Sequence, residues 1–150
     1  MSMRIAFGSD HAGRQLRLVL AGEVAAKGHA VLDLGCESAD PVDYPHYAER
    51  VAQAVKNGEA KLGVLICGTG IGMSMAANAI SGVRAAVCTD EFMARMARAH
   101  NDANVLCMGA RVLGVGVAAS VLDAFLRTPF EGGRHARRVE QIAQLEKQRQ

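Results

Sequence analysis

Residues 62–72 read LGVLICGTGIG, an apolar run followed by three glycines within five positions. The run is short and ends in turn residues, so it predicts a buried strand over residues 62–67. A strand that is apolar on both faces is typical of a parallel sheet covered by helices on both sides. The glycines predict a sharp turn from this strand into a helix over residues 72–80.

The same alternation of short apolar runs and longer helix-patterned stretches extends along the chain. Further strands are predicted at 3–9, 30–34, 83–88 and 105–108. Further helices are predicted from the first strand to Gly28 and at 44–57, 91–100, 113–126 and 134–149. Strict alternation predicts the α/β class, as a single Rossmann-like three-layer αβα sandwich with a five-stranded parallel sheet and right-handed crossovers. The final helix, over 134–149, follows the last predicted strand and helix and is an addition to this sandwich.

Bulk composition argues against several classes of partner. The net charge is +2, Trp is absent and aromatic residues make up 4%, which favours neither a nucleic-acid surface nor a membrane surface. The four cysteines, at 36, 67, 88 and 107, show no CxxC pairing and no zinc spacing with histidine. Free buried thiols and the lack of an apolar leader predict a cytoplasmic protein. No metal or cofactor is expected.

The chain has no repeat or long linker, so residues 1–150 are predicted to form one domain. Segment 130–150 differs from the rest, because residues 134–150 carry five Lys and Arg against two Asp and Glu. A solvated helix face is the usual meaning of such a run. However, Arg134 and Arg138 lie four positions apart and share one face, so they could hold a phosphate between them.

The glycine-rich turn at 68–72 predicts an anion-binding loop. Its glycines let several backbone N–H groups point into one concavity next to a helix N-terminus, where negative charge is favoured. The pattern is GxGxG after the third strand, not GxGxxG after the first, and a dinucleotide site is therefore disfavoured. A small anionic ligand fits the pattern better.

Cys67 ends the third predicted strand at the mouth of this loop. Taken alone, a cysteine in a sheet is most often a small buried hydrophobic residue. Thiols at helix N-termini, however, ionise more easily and serve as nucleophiles or general bases. A hydrolase would also need an activating histidine, for which His100, or His11 with Asp10, is available, so the residues alone leave that alternative open.

Other polar residues cluster in the turns between predicted elements. Asp10 and His11 follow the first strand. The alternative role of Asp10 is structural, as a cap of the helix that follows. Arg111 follows the fifth strand. His100 and Asn101 begin a polar turn after the helix over 91–100, a position at which a histidine can also simply stabilise the helix end. Ligands of doubly wound sheets bind at the carboxyl ends of the strands, which is where we expect the chemistry.

Five segments together resemble the ribose-5-phosphate isomerase B family, which is grouped with the galactose-6-phosphate and allose-6-phosphate isomerases. They are FGSDHAG at 7–13, DYP at 43–45, CGTGIG at 67–72, HNDAN at 100–104 and GGRH at 132–135. The resemblance covers nearly the whole chain in order. It implies a Rossmann-like fold without nucleotide, metal or other cofactor. It also implies a homodimer or a dimer of dimers with active sites shared between subunits, which segment 130–150 would reach.

The resemblance also implies roles for individual residues. Cys67 would move a proton between C1 and C2 of the sugar, His100 would help to open the sugar ring, and Thr69 would complete the catalytic set. Some family members replace the cysteine and use a nearby glutamate, but this chain keeps Cys67 and has Met75 further along. The implied substrate-binding residues are Asp10, His11, Tyr44, Gly68, Gly70, Ile71, Gly72, Asn101, Arg111, Arg134 and Arg138.

The implied activity is an aldose–ketose isomerisation of ribose 5-phosphate and ribulose 5-phosphate through an enediolate, in the pentose phosphate pathway. It needs a base, oriented donors for the oxyanion and cations for the phosphate. One alternative is a related substrate: allose 6-phosphate, galactose 6-phosphate or a tetrose phosphate. Another is a non-catalytic sugar-phosphate-binding module. His100 argues against a tetrose 4-phosphate, which has no furanose ring to open, and a mere binder needs neither His100 nor Cys67.

Overall fold

A computed structural model describes residues 2–149; Met1 and Gln150, the ends of the predicted domain, lie outside the described residues. Its strands are β1 (Arg4–Ser9), β2 (Ala30–Asp33), β3 (Leu62–Cys67), β4 (Ala85–Val87) and β5 (Val105–Gly109). Its helices are α1 (Arg14–Ala26), α2 (Tyr44–Lys56), α3 (Ile71–Asn78), α4 (Glu91–Ala99), α5 (Val115–Arg127) and α6 (Arg134–Gln148). Each corresponds to a predicted element, and most ends differ by one or two residues.

β4 is the strand that differs most from its prediction, three residues instead of six. Before it, the N–H of Arg84 donates to the side-chain oxygen of Asn104 at 2.8 Å, and the N–H of Val83 donates to Ile80 O. These residues satisfy their backbone through a turn rather than through the sheet. An edge strand with one neighbour can be shortened in this way without leaving buried groups unpaired.

All strand pairs are parallel, and the strand order is β2-β1-β3-β5-β4. β3 lies at the centre, pairing with β1 from Leu62 to Ile66 and with β5 from Gly63 to Cys67. All six of its residues are buried. The predicted α/β sandwich with a five-stranded parallel sheet is therefore confirmed.

Two separate cores cover the faces of the sheet. The first contains the inward faces of α1, α4 and α5, packed on alternate strand residues such as Phe7, Val64 and Ile66. The second contains α2 and α3, packed on the other set, including Leu65 and Cys67. Strand residues point alternately to the two faces, which is why an unbroken apolar run is required in β3.

The parallel arrangement gives the sheet two chemically different edges. Each strand ends at one edge, called here the carboxyl edge, and the following helix returns the chain to the other, the amino edge. α4 and α5 therefore both end at the amino edge. The N–H of Glu131, in the segment after α5, donates to Ala99 O at 3.0 Å and joins this segment to the end of α4. α6 begins from this point.

α6 has few anchors on the rest of its own chain. His135 is its one buried residue. Near its far end, a carboxylate oxygen of Glu146 accepts a hydrogen bond from Gly82 N at 3.2 Å. Its apolar Ile142 and Leu145 remain 42% and 60% exposed. Within residues 2–149, none of the helices has both the length and the apolar character needed to cross a bilayer.

Arg17 of α1 is a buried cation that fastens the ends of β1 and β2 together. Its guanidinium donates to Ser9 Oγ at 2.7 Å and to Cys36 O at 2.9 Å. Its Nε lies 3.1 Å from Asp33 Oδ1. The Arg17 side chain is 4% exposed, so these oxygens take the place of its lost hydration. The contacts fix Ser9, which directly precedes Asp10.

We predict that Arg17→Met lowers the free energy of unfolding by about 2–4 kcal/mol, because buried oxygens of Ser9 and Cys36 lose their charged donor. Urea unfolding followed by circular dichroism measures this change. Lys56→Met, at the exposed end of α2, is the matched control and should change stability by less than about 0.5 kcal/mol. Equal effects of the two substitutions would contradict the structural role of Arg17.

Candidate active site

The carboxyl edge contains a crevice between β1 and β3. These strands are neighbours, but α1 packs in the first core and α3 in the second, so the chain leaves the sheet in opposite directions after them. Such a topological switch point opens a crevice at the strand ends, which is where ligands of open α/β sheets bind. The turns that border it are 10–13 after β1 and 68–70 after β3.

Cys67 is the last residue of β3, and its thiol faces the loop that follows. Its Sγ accepts a hydrogen bond from the N–H of Gly70 at 3.1 Å. Gly70 has φ +84°, and a side chain there would also contact the backbone of Met108 at 3.0 Å. The left-handed conformation folds the loop back over the thiol, so glycine is required here. Cys67 itself is 5% exposed.

The rest of the loop is held so that backbone donors face the crevice. The N–H of Arg111 donates to Gly68 O at 3.0 Å, and Thr69 Oγ1 accepts the N–H of Ile71 at 3.2 Å. Gly68 lies under the Arg111 guanidinium, since a Cβ there would be 3.4 Å from its Nη1. The first-turn N–H groups of α3 lack intrahelical acceptors. Together with Arg111 they give the loop the positive character that suits an anionic ligand.

Position 72 must be glycine because the aromatic ring of Tyr44 packs directly against its backbone. A Cβ at this position would lie 2.5 Å from Cζ of Tyr44, the first residue of α2. The Tyr44 ring is thus packed against the start of α3 and is 39% exposed. The structure places Tyr44 beside the predicted loop, as one wall of the crevice.

Asp10 and His11 form the opposite wall. Asp10 is buried, and its Oδ1 accepts the N–H of Gly13 at 3.0 Å. This bond closes the turn before α1; the N-cap of the helix is Gly13, which makes no side-chain cap hydrogen bond. His11 Nδ1 accepts the N–H of Val42 at 3.2 Å. When neutral, His11 therefore carries its proton on Nε2 and can donate it to a ligand.

His100 and Asn101 lie at the other edge of the sheet. His100 caps the end of α4, and the turn after it leads into β5, where Asn104 O accepts the N–H of Gly63. Gly63 and Cys67 are the two ends of a strand segment that spans roughly 13 Å. The structure therefore does not bring His100 to Cys67 of the same chain. A hydrolase triad that pairs these two residues within one chain is excluded by this geometry.

The predicted site residues thus fall into two groups. The carboxyl-edge group comprises Asp10, His11, Tyr44, Cys67, Gly68, Thr69, Gly70, Ile71, Gly72 and Arg111. The amino-edge group comprises His100 and Asn101, together with Arg134 and Arg138 at the start of α6. The turn of the second group is braced by Asp102, at φ +47°, whose two carboxylate oxygens each lie 3.3 Å from an arginine, Arg84 and Arg98.

Two further residues belong to the amino-edge group and were not predicted from the sequence. The ring of His135 stacks on that of His100, with centroids 4.0 Å apart and planes 8° from parallel. Glu131 Oε1 lies 3.7 Å from His100 Nε2 and 3.6 Å from His135 Nε2. Burial, His100 and Arg134 lower the pKa of His135. The spacing of four between Glu131 and His135 is a sequence pattern that could have indicated a contact between them. Their approach to His100 depends on the tertiary contact between Glu131 and Ala99.

The fold and this site define a doubly wound α/β protein with a thiol inside an anion-binding loop. Residues 5–142 match the Ribose/Galactose Isomerase family. Ribose-5-phosphate isomerase B of Escherichia coli strain K12 is 47% identical over 97% of this chain and 98% of its own length. The chain therefore belongs to the Ribose/Galactose Isomerase family, and the family resemblance predicted from the five segments is confirmed.

Solved structures agree with this assignment. Ribose-5-phosphate isomerase B of Clostridium thermocellum is 48% identical, with a TM-score of 0.98 over 99% of this chain and 100% of its own. Ribose-5-phosphate isomerase B of Mycoplasma genitalium, solved with bound ribulose-5-phosphate, is 43% identical, with a TM-score of 0.92 over 96% of both chains.

The four thiols should differ in reactivity. Burial, then Asp90, raise the pKa of Cys88 to about 11, and burial raises the pKa of Cys107. The thiolate is the form that iodoacetamide alkylates. We predict that the folded protein is alkylated at Cys67 well before Cys88 and Cys107 at about pH 8. Peptide mass spectrometry over a time course measures this order, and the urea-unfolded chain is the control. Equal labelling of Cys67 and Cys107 in the folded protein would contradict it.

Proposed function

We propose that this protein interconverts ribose 5-phosphate and ribulose 5-phosphate as a ribose-5-phosphate isomerase, in the cytoplasm and within the pentose phosphate pathway. The observation that carries the proposal is the Cys67 thiol, which lies inside a loop of backbone donors and accepts the N–H of Gly70. The sequence identity to ribose-5-phosphate isomerases B supports the choice of a phosphosugar substrate. The whole chain, 1–150, acts as one isomerase domain.

The reaction moves a proton between adjacent carbons without net oxidation. Cys67, as thiolate, takes the proton from C2 of the open-chain aldose, and the electron pair forms the C1–C2 double bond of an enediolate. The proton of the O2 hydroxyl passes to O1, and Cys67 returns its proton to C1 as the carbonyl forms at C2, giving the ketose and regenerating the thiolate. The base must lie beside the carbon while donors stabilise the charge that develops on the oxygens. Sγ lies at the mouth of the loop, so a substrate there would have the base beside its carbon and the loop donors beside its oxygens.

The loop and its neighbours supply the donors. The backbone N–H groups of Gly68 and Gly72 donate to the enediolate oxygens, and the Thr69 hydroxyl lines the same pocket. The N–H of Gly70 donates to Cys67 Sγ and that of Ile71 to Thr69 Oγ1, so these two hold the loop around the substrate. Because these groups are fixed by the ends of β3 and β5, they need not reorganise during the reaction. Asp10, His11 and Tyr44 contact the sugar from the two walls of the crevice, with His11 donating from Nε2.

Both edge groups are needed for the whole reaction, so we infer that each active site is shared between two subunits. Cys67 and Arg111 come from one protomer. The partner's His100, Asn101, Arg134 and Arg138 complete the site, opening the sugar ring and holding the phosphate. The opposite placement of the groups within one chain supports this arrangement, as do exposed apolar side chains on α3 and α6. Examples are Ile71 and Met75 on α3 and Leu145 on α6.

The protein is therefore proposed to be a homodimer or a dimer of dimers, with segment 130–150 reaching the partner. α6 is poorly anchored on its own chain and follows Gly132 and Gly133, both at positive φ. Arginines at its start are exposed. A planar guanidinium offers forked donors to phosphate oxygens, so two arginines on one face suit the phosphate of the substrate.

We predict that Cys67→Ala lowers kcat for ribose 5-phosphate by about 10²- to 10⁴-fold, the usual worth of a positioned general base. KM should change little, because the loop and the arginines remain. Steady-state kinetics of ribulose 5-phosphate formation measures both values. Cys88→Ala removes a thiol outside the crevice and is the matched control, with kcat close to wild type. Near-normal turnover of Cys67→Ala would show that another group is the base.

A second prediction tests the shared site. Cys67→Ala and Arg138→Ala homodimers should each be poorly active. A mixed dimer has one site with both residues intact, so refolding the two variants together should restore activity towards half the wild-type rate per mixed dimer. Assays of purified, differently tagged heterodimers measure this recovery.

Arg111→Ala provides the control for that experiment, because Arg111 and Cys67 lie in the same edge group. A mixed dimer of Cys67→Ala with Arg111→Ala leaves each site lacking one residue and should show no recovery. If the Cys67→Ala and Arg138→Ala mixture also failed to recover, despite confirmed subunit exchange, the sites would be built within single chains.

A further inference from the structure

The contact of Glu131 with the two stacked histidines has no role in the reaction described so far. Its Oε1 lies within 4 Å of Nε2 of both His100 and His135. The backbone N–H of Glu131 is fixed to Ala99 O, one residue before His100. His135 is buried, while Glu131 is 57% exposed. The backbone contact with Ala99 places the Glu131 main chain beside His100, and its carboxylate lies next to both ring edges.

A metal ion is one possible use of these groups, since their ligand atoms lie within 4.8 Å of one another. The ring geometry argues against it. A histidine binds a metal in the plane of its ring, along the nitrogen lone pair. The planes of His100 and His135 are 8° from parallel and their centroids 4.0 Å apart, so these directions do not converge on one point. The Glu131 carboxylate instead lies at ion-pair distance from both Nε2 atoms, and such an electrostatic attraction depends less on direction than metal coordination does.

We propose that Glu131 is a positioning residue for His100: it fixes the proton of the neutral imidazole on Nε2 and leaves Nδ1 as the basic atom. A lone pair on Nε2 would face the carboxylate oxygen and be repelled, whereas an N–H is attracted. The stacked ring of His135 holds the plane of His100. This inference rests on the proposed function, in which His100 opens the sugar ring.

Ring opening requires a group that can take up and return one proton. The electron pair of the O1–H bond forms the C1=O1 double bond of the aldehyde, the C1–O4 bond of the furanose breaks, and the proton of the O1 hydroxyl moves to O4, with no change of oxidation state. Nδ1 of His100 takes the O1 proton, and the resulting imidazolium is stabilised by the Glu131 carboxylate before the proton passes to O4. A carboxylate that orients a histidine and stabilises its charged form is a recurring device in catalysis.

The surroundings of the cluster support a single positive imidazole. Arg134 and Arg138 face His135 from α6, and Glu131 faces both rings from the preceding segment. Burial and the neighbouring His100 and Arg134 lower the pKa of His135, so the charged form of its ring is disfavoured beside His100. The Glu131 carboxylate is then available to stabilise the proton that His100 takes up.

The first test measures the tautomer directly. Nitrogen-15 chemical shifts of the imidazoles, recorded at about pH 8.5 where an ordinary histidine is neutral, identify which nitrogen carries the proton. We expect His100 of the wild type to be protonated on Nε2. Glu131→Leu, which keeps the size but removes the acceptor, should give a mixture of tautomers. Unchanged His100 shifts in Glu131→Leu would overturn the proposal. The spectrum of His100→Asn assigns the signals.

The second test separates ring opening from proton transfer. Ribulose 5-phosphate cannot close a furanose ring, because its O5 is esterified, so exchange of its C1 hydrogen with solvent needs Cys67 but no ring opening. Glu131→Gln should lower turnover of ribose 5-phosphate by about 10- to 100-fold, less than the about 10²- to 10⁴-fold worth of a general acid–base group itself. The exchange rate should stay within about twofold of wild type, since the Cys67 group is untouched.

Equal losses in turnover and exchange, or no loss in either, would contradict the positioning role. Glu23→Gln, on the exposed face of α1, is the matched control and should alter neither rate. The two tests also separate this inference from the proposed function. If the wild type failed to isomerise ribose 5-phosphate, the function would be wrong, while the tautomer measurement would still decide whether Glu131 fixes the proton of His100.

Discussion

The parallel pairing of β3 with β1 on one side and β5 on the other is the constraint on which the other features depend. β3 is buried on both faces, so each of its side chains must be apolar or, at its end, small. Parallel pairing also forces every connection to run back across the sheet in a helix. As a result, residues that follow strands gather at one edge, and residues that follow helices gather at the other.

This polarity divides the proposed active site. The Cys67 loop lies at the carboxyl edge with Asp10, and His100 lies at the amino edge with the start of α6. No rotation of a side chain can cross a strand segment of roughly 13 Å. The proposed reaction uses both groups and therefore requires two subunits to associate. α6 is the element suited to that association, because its arginines are exposed and it has few contacts with its own chain.

At the carboxyl edge, side chains of the proposed site are held by backbone contacts. Gly70 N–H donates to the Cys67 thiol, and Val42 N–H donates to His11. The buried cation of Arg17 adds rigidity by joining the ends of two strands. Groups fixed in this way lose little freedom when substrate binds, so the interaction energy can be used to stabilise the enediolate.

The sequence by itself determined the class of fold, the span of β3, the glycine-rich turn after Cys67 and the family, because these depend on local periodicity, glycine placement and ordered motifs. Only the tertiary structure decided the strand order, the short β4 and the separation of His100 from Cys67. It alone also brought Glu131 and His135 to His100. Those features depend on which helix ends meet and on which edge a turn emerges, and such contacts between distant segments leave no mark in local patterns.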